Sequence, residues 1–238
     1  MRRPHWIALF SLLISGLLFA ACGGSTQGNN STTDPQTTPT TQATSTAQAT
    51  PWTTTTPGAN QELYTIVAPP TEASYEVQEQ FLEQNLPTTA IGKTNSVEGG
   101  FLIQRGDKPI INDMKITIDL RTLKSDQERR DNALRQRWLE SNTYPYATFV
   151  AKNVQTLPAG ATEGKTLTFP ITGDLTIRNV TRQETFQVTG KLEGDTITGK
   201  ATTKILMKNY NFEPPSIAGF LTVEDGVTLT INFTAKKG

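Results

Sequence analysis

The run Val227-Thr228-Leu229-Thr230-Ile231-Asn232-Phe233-Thr234 decides the fold. Its apolar residues fall at every second position, and a period of two puts successive side chains on opposite faces of a strand. The same period recurs toward the N-terminus. Ile116, Ile118 and Leu120 alternate with Lys115, Thr117 and Asp119. Leu167, Phe169 and Ile171 alternate with threonines and Pro170, Leu175 and Ile177 follow, and Phe186 and Val188 alternate with Thr185, Gln187 and Thr189. Turn signals separate these runs at Gly106-Asp107, Pro158-Ala159-Gly160, Asn179, Glu193-Gly194-Asp195 and Glu224-Asp225-Gly226. Short amphipathic strands at near-regular spacing predict an all-β antiparallel sandwich or barrel.

One segment breaks the rhythm. From Ser125 to Ser141 the spacing is helical: Leu134 and Trp138 lie four residues apart, Asp131 precedes Arg135 by four, and Ser125 with Glu128 fits a capping box. This predicts an inserted helix of about four turns. Arg121, Arg129, Arg130, Arg135 and Arg137 cluster here, and two readings are open: an anion site, or the favoured one, a solvated helix face with Glu128 and Asp131 as partners.

Composition divides the chain. Arg2 and Arg3, an apolar run from Ile7 to Ala20 and then Phe19-Ala20-Ala21-Cys22 have the layout of an export leader, too short for a stable membrane span. The segment resembles the lipobox of bacterial lipoproteins, with Phe19 where leucine is usual. That resemblance implies cleavage after residue 21 and acylation of Cys22, the only cysteine. Residues 22–60 are rich in Thr, Gln, Ala and Pro and hold too little apolar surface to offset ordering entropy, so they read as a disordered tether. A flexible coil of this length spans about 30 to 35 Å root-mean-square. Residues 61–238 then form one domain. The expected location is outside the cytoplasmic membrane, in the periplasm or cell envelope, with the acyl anchor as the membrane contact.

Removing the leader takes away His5, the only histidine, so the mature chain has neither imidazole nor free thiol. Ser-His-Asp and Cys-His catalysis, Cys/His zinc and disulfides are thereby excluded. No catalytic or metal-binding residue is assigned. Glu76 with Glu79, and Asp107 with Asp113, read as exposed strand or loop charges. With Arg2 and Arg3 gone, 20 of the 22 basic side chains remain against 22 acidic ones, a balance that gives no footprint for nucleic acid.

Several separate stretches carry a family resemblance. Arg130-Asp131-Asn132-Ala133-Leu134-Arg135, then Trp138-Leu139, then Tyr144-Pro145-Tyr146-Ala147-Thr148-Phe149 resembles the signature of the YceI family. Gly173-Asp174-Leu175-Thr176-Ile177 with Val180-Thr181-Arg182, and the closing Val227 to Ile231 with Ala235-Lys236-Lys237, resemble further family motifs in the same order. Asn179 stands where glycine is usual, Ala133 where histidine is frequent, and Arg137-Trp138 in place of a common Asp-Phe pair. The opening strand near Tyr64 to Val77 lacks the family's His-Ser element, so no role of those histidines transfers. The resemblance implies a lipocalin-like barrel of about eight antiparallel strands around an elongated apolar cavity that holds an isoprenoid or similar lipid.

On that reading the ligand-lining residues are Ile116, Ile118, Phe149, Phe169, Ile177, Phe186, Leu229 and Ile231. The expected occupant is a polyprenyl lipid or isoprenoid quinone, with no other cofactor and no protein partner identified. Tyr210-Asn211-Phe212-Glu213-Pro214-Pro215 reads as a loop over the barrel mouth, either a gate or merely a long connection, because its prolines block ladder hydrogen bonding. The alternative function is a surface interaction module whose barrel is filled by side chains and whose loops meet a protein or cell-wall glycan.

Overall fold

The computed structural model describes residues 56–82, 86–152, 155–158, 161–217 and 219–238. The expected leader, Cys22 and the tether as far as residue 55 lie outside the described residues. The rest is a closed antiparallel barrel of eight staves, three of them interrupted. The first stave is β1 (Gln61–Ile66) continued by β2 (Glu72–Phe81), and the second is β3 (Leu86–Thr94) continued by β4 (Val97–Gln104). The third is β5 (Ile110–Asp119), and the fourth is β6 (Tyr146–Ala151) continued by the short β7 (Gln155–Thr156). Then follow β8 (Thr166–Ile177), β9 (Val180–Glu193), β10 (Thr196–Leu206) and, past the two-residue β11 (Ser216–Ile217), the long β12 (Leu221–Lys237).

Each stave pairs with the next, and β12 closes the ring by pairing with β2 through Leu221 to Asn232 and with β1 through Ala235 to Lys237. Full closure leaves no continuous open edge, and eight strands is about the size that can hold one small ligand.

The alternating runs point as the sequence predicts, with one face of each strand inward. One correction concerns a turn. Glu224-Asp225-Gly226 does not end a strand. It forms a bulge within β12, where the register to β2 shifts between Val223 and Val227. Asn179 does lie in the two-residue β8–β9 turn, where Arg178 is the left-handed residue, at φ 56°. Arg178 is held there by donating Nη1 to the Asn211 carbonyl at 3.0 Å and by pairing with Glu140.

The insertion between β5 and β6 is also shorter than its pattern suggests. It contains α1 (Glu128–Ala133) followed by a wider turn (Leu134–Trp138), in which the Leu139 N–H reaches the Leu134 carbonyl five residues back. The capping box does not form, since Gln127 occupies the cap position. Nor does Asp131 pair with Arg135. Asp131 is buried and accepts both the N–H and the hydroxyl of Ser125, the latter at 2.6 Å, whereas Arg135 donates to Asn132 and to the Leu123 carbonyl. Ser125 therefore anchors the approach to the helix from outside it.

The insertion, the β2–β3 hairpin and the loop from Met207 to Phe220 all lie at one end of the barrel, called here the helix end. The β4–β5 and β9–β10 hairpins and both ends of the described barrel chain lie at the other.

Candidate functional site

The barrel is hollow. Two apolar chambers lie back to back along its axis, about 300 Å³ at the helix end and about 140 Å³ at the other. All eight residues singled out from sequence point into them. Ile118, Ile177 and Leu229 line the larger chamber and Phe169 lines the smaller, while Ile116, Phe149, Phe186 and Ile231 border both. Strand parity explains this placement, because one inward residue fixes the rest of its strand.

The four shared residues lie at nearly one level of the barrel, as the register dictates. Ile116 on β5 pairs across to Phe149 on β6, Ile171 on β8 pairs to Phe186 on β9, and Ile231 on β12 is flanked by Ala201 on β10 and Ala73 on β2. Phe149 and Phe186 meet edge to face, with centroids 5.0 Å apart and planes at 71°. Gly173 permits this, since a Cβ there would lie 2.7 Å from the Phe149 ring and 2.6 Å from the Val150 carbonyl oxygen. The missing side chain is the space in which Phe149 rests.

The mouth at the helix end combines apolar walls with a buried ion pair. Ala73, Tyr75, Val77, Glu79 and Phe81 form the inward face of β2, so the Glu79 carboxylate points into the barrel and is only 5% exposed. Arg130 on α1 grips it in a two-pronged pair, Nε to Oε1 at 3.1 Å and Nη2 to Oε2 at 2.8 Å. The same guanidinium donates to Asp126 at 2.5 Å and to Ser125. This corrects two expectations: Glu79 is not an exposed strand charge, and Arg130 is not on a solvated face. Arg121 does stay at the surface, paired with Asp119 and lying over the Tyr146 ring.

Leu134, Trp138 and Leu139 of the insertion complete the chamber wall, together with Ala133. The segment that starts at Met207 borders the same mouth, and Arg178 contacts both its Asn211 and Glu140 of the insertion. Its Tyr210 is fully buried and donates to Glu184 at 3.0 Å, and burial and then the Glu184 charge hold that phenol well above the usual tyrosine range. Phe212, Pro215, Ile217 and Phe220 face the chamber, with Ile217 and Phe220 also about half exposed. Tyr75 lies across Gly92, and burial pushes its hydroxyl in the same direction.

Sequence reasoning missed several of these wall residues. Glu79 left a signal, a lone carboxylate in an otherwise apolar stripe facing an arginine-rich segment. Phe101 and Ile103 of β4, which line the smaller chamber, are harder to find because Leu102 between them is apolar and buried as well, so no alternation shows, and the bulge opposite skips Asn112 of β5 in the pairing. Among the described residues, no group of three or more His, Cys, Asp or Glu side chains is placed to hold a metal ion.

A meander barrel closed on itself, with an apolar interior and a helical insertion across one mouth, defines a lipocalin-like hollow-barrel protein. The YceI-like domain model matches residues 64–235, and the chain belongs to that family. Among solved structures the chain is similar to a polyisoprenoid binding domain from Saccharophagus degradans implicated in plant cell wall breakdown. That match has 16% identity and a TM-score of 0.56, and covers 74% of this chain and 98% of that one. It is also similar to BcnA of Burkholderia cenocepacia, with 20% identity and a TM-score of 0.52, over 72% of this chain and 99% of that one. No curated protein matches the chain in sequence.

Proposed function

We propose that this protein is a non-catalytic carrier that holds an isoprenoid lipid, a polyprenyl chain or an isoprenoid quinone tail, inside the barrel, and that it works outside the cytoplasmic membrane on an acylated Cys22. The observation that carries the reading is the pair of apolar chambers, whose walls are the inward faces of the barrel strands. Binding rests on burial. Each CH₂-sized group removed from water contributes about 0.8 kcal/mol, so an isoprene unit contributes roughly 4 kcal/mol before the costs of ordering and association. The eight candidate residues, Ile116, Ile118, Phe149, Phe169, Ile177, Phe186, Leu229 and Ile231, are the contacts that supply it.

Family membership supports the same ligand class, as does the barrel likeness to the polyisoprenoid binding domain of S. degradans. The leader-like N-terminus and the Thr- and Pro-rich stretch after it support the exported, tethered state, in which the acyl chains provide the membrane contact. A side-chain-filled interaction module fits less well, because it would have no reason to keep open chambers in its core.

Native mass spectrometry of the chain expressed with its own leader, followed by organic extraction, tests the proposal. A stoichiometric isoprenoid, with a diacylglyceryl mass on Cys22, is the expected result. An empty barrel that also takes up no added isoprenoid refutes the carrier reading, and an uncleaved or unacylated N-terminus refutes the anchor.

A further inference from the structure

Apolar surface outside the barrel is concentrated at one end. Among the described residues five large apolar side chains are exposed, and four of them, Leu82, Leu206, Ile217 and Phe220, lie at the helix end. Three form one patch. The Leu82 N–H donates to the Phe220 carbonyl at 2.9 Å, the Phe220 N–H donates to the Ile217 carbonyl at 2.9 Å, and the Phe81 and Phe220 rings meet edge to face with centroids 5.5 Å apart. Scattered apolar side chains on a surface need no explanation, but this patch is continuous with the cavity. Phe81, Ile217 and Phe220 line the larger chamber, and the last two are also about half exposed, so on this side the apolar wall runs from the interior out onto the rim. The insertion brings a cation to the same mouth. Arg129, and not Glu128 beside it, borders the chamber; it is exposed and has no carboxylate partner among the described residues.

We infer that this rim is a membrane-docking face: Leu82, Ile217 and Phe220 enter a phospholipid bilayer at its headgroup border, Arg129 meets lipid phosphates, and an apolar chain passes between bilayer and cavity without crossing water. It is a membrane contact additional to the acyl anchor, and it rests on the isoprenoid reading only for the cargo. The patch is too small for a stable protein partner, since three half-exposed side chains offer far less than the roughly 800 Å² per partner of such interfaces. A bilayer needs no shape complementarity, and each half-exposed group that enters it gains by burial. The proposed tether permits the geometry. The chain enters the barrel at Gln61, at the opposite end, so a docked rim holds that entry about one barrel height from the membrane. For the 17 residues of β12, at about 3.3 Å each and a tilt of about 40°, that height is roughly 40 Å. Residues 22–60, read as a coil of about 30 to 35 Å root-mean-square that reaches about 130 Å at full stretch, cover it.

The test uses the acylated full chain in vesicles of phosphatidylcholine and phosphatidylglycerol whose acyl chains carry a doxyl quencher. Cys22 is the only cysteine, so its acylation leaves an introduced thiol as the single site for a bimane label. A label at Leu82→Cys is expected to be quenched, and a label at Gly106→Cys, in the β4–β5 hairpin at the other end, is not. No quenching at Leu82, or quenching at Gly106 instead, overturns the docking face. These vesicles hold no isoprenoid, so the result stands apart from the identity of the cargo. A second label, on Cys22, marks failure of the anchor reading, and the same chain added to the vesicles from solution then decides docking.

Uptake supplies a second readout. A four-unit prenyl alcohol offered in vesicles without quencher should enter Leu82→Glu roughly fivefold or more slowly than the natural protein, while its affinity when delivered from cyclodextrin stays within about twofold, because Leu82 does not line the cavity. Ile91→Glu, at a similarly exposed apolar position on β3 away from the rim, should change neither. An unchanged rate in Leu82→Glu overturns the proposal, as does an equal slowing by Ile91→Glu. A concentration-dependent dimer that Leu82→Glu abolishes, with no quenching in vesicles, overturns it in favour of a second copy. Failure of the alcohol to bind from cyclodextrin overturns the isoprenoid reading alone and leaves docking to the quenching result.

Discussion

Replacing Arg130 with methionine should destabilise the protein by about 3 to 5 kcal/mol at neutral pH, the range for stranding one member of a buried ion pair. The structure sets this expectation. The Glu79 side chain is 6% exposed and that of Arg130 13%, so the pair is largely shielded from bulk water and the carboxylate would lose its two guanidinium donors. Methionine keeps much of the arginine stem's volume, which leaves the lost charge as the main change. The assay is denaturant unfolding of Arg130→Met, Glu79→Gln and the double variant. Neutralising the stranded carboxylate should recover most of the loss, so the double variant is expected to lie within about 1 to 2 kcal/mol of the natural protein. Because the pair joins α1 to β2 across the larger chamber, Arg130→Met should also release bound lipid faster. A loss below about 1 kcal/mol, or a double variant no better than Arg130→Met, would refute the picture of a buried charge held by this one partner.

Three other outcomes follow from the same geometry. Ile118→Lys or Phe169→Asp places a charge in an apolar chamber and should abolish lipid retention, so a variant that folds normally and still copurifies with the same lipid would contradict the site. Gly173→Ala forces a Cβ to within 2.6 Å of the Val150 oxygen and should cost about 1 to 3 kcal/mol by thermal unfolding, while Gly106→Ala, with open space at its Cβ position, should cost far less. Acid should weaken the fold through Glu62 and Asp119. Burial raises both carboxyls, but hydrogen bonds outweigh it, from Lys237 and Arg105 to Glu62 and from Arg121 to Asp119, so both are lowered overall. A carboxyl lowered in the folded state contributes stability that is present above its unfolded value and lost as pH falls below about 4.5 and through the folded value. Glu62→Gln with Asp119→Asn should flatten the stability profile in that window, and an unchanged slope would show that the acid limb arises elsewhere.

Where alternation was uninterrupted, as in β8, β9 and the second half of β12, the sequence pattern gave both the strand and its inward face. It failed where regularity fails. Glu224-Asp225-Gly226 has the composition of a turn, but local composition cannot distinguish a turn from a bulge whose strand is held on both sides. The helix pattern found the right wall residues, Leu134 and Trp138, yet overestimated the helix, because Asp131 is engaged by Ser125 and the chain widens into a looser turn. The Glu79–Arg130 pair spans 51 positions, and no local rule brings such residues together; it became visible only once β2 and α1 were placed.

A barrel can close and still be filled, so the hollowness is the fact that needs a cause. The layer around Ile231 offers one: Ala73 and Ala201 occupy inward positions where larger side chains would have closed the space. Open space of this size is costly. At about 24 cal/mol per Å³ the two chambers together, about 300 and about 140 Å³, correspond to roughly 10 kcal/mol of forgone packing, comparable to the whole stability of an ordinary domain. A ligand recovers part of that deficit, and by linkage its binding stabilises the folded state. The Glu79–Arg130 pair then has a structural rationale as well. A helix resting on a hollow space has little apolar packing beneath it, and a directional, two-pronged contact with β2 can hold it in place where close packing cannot.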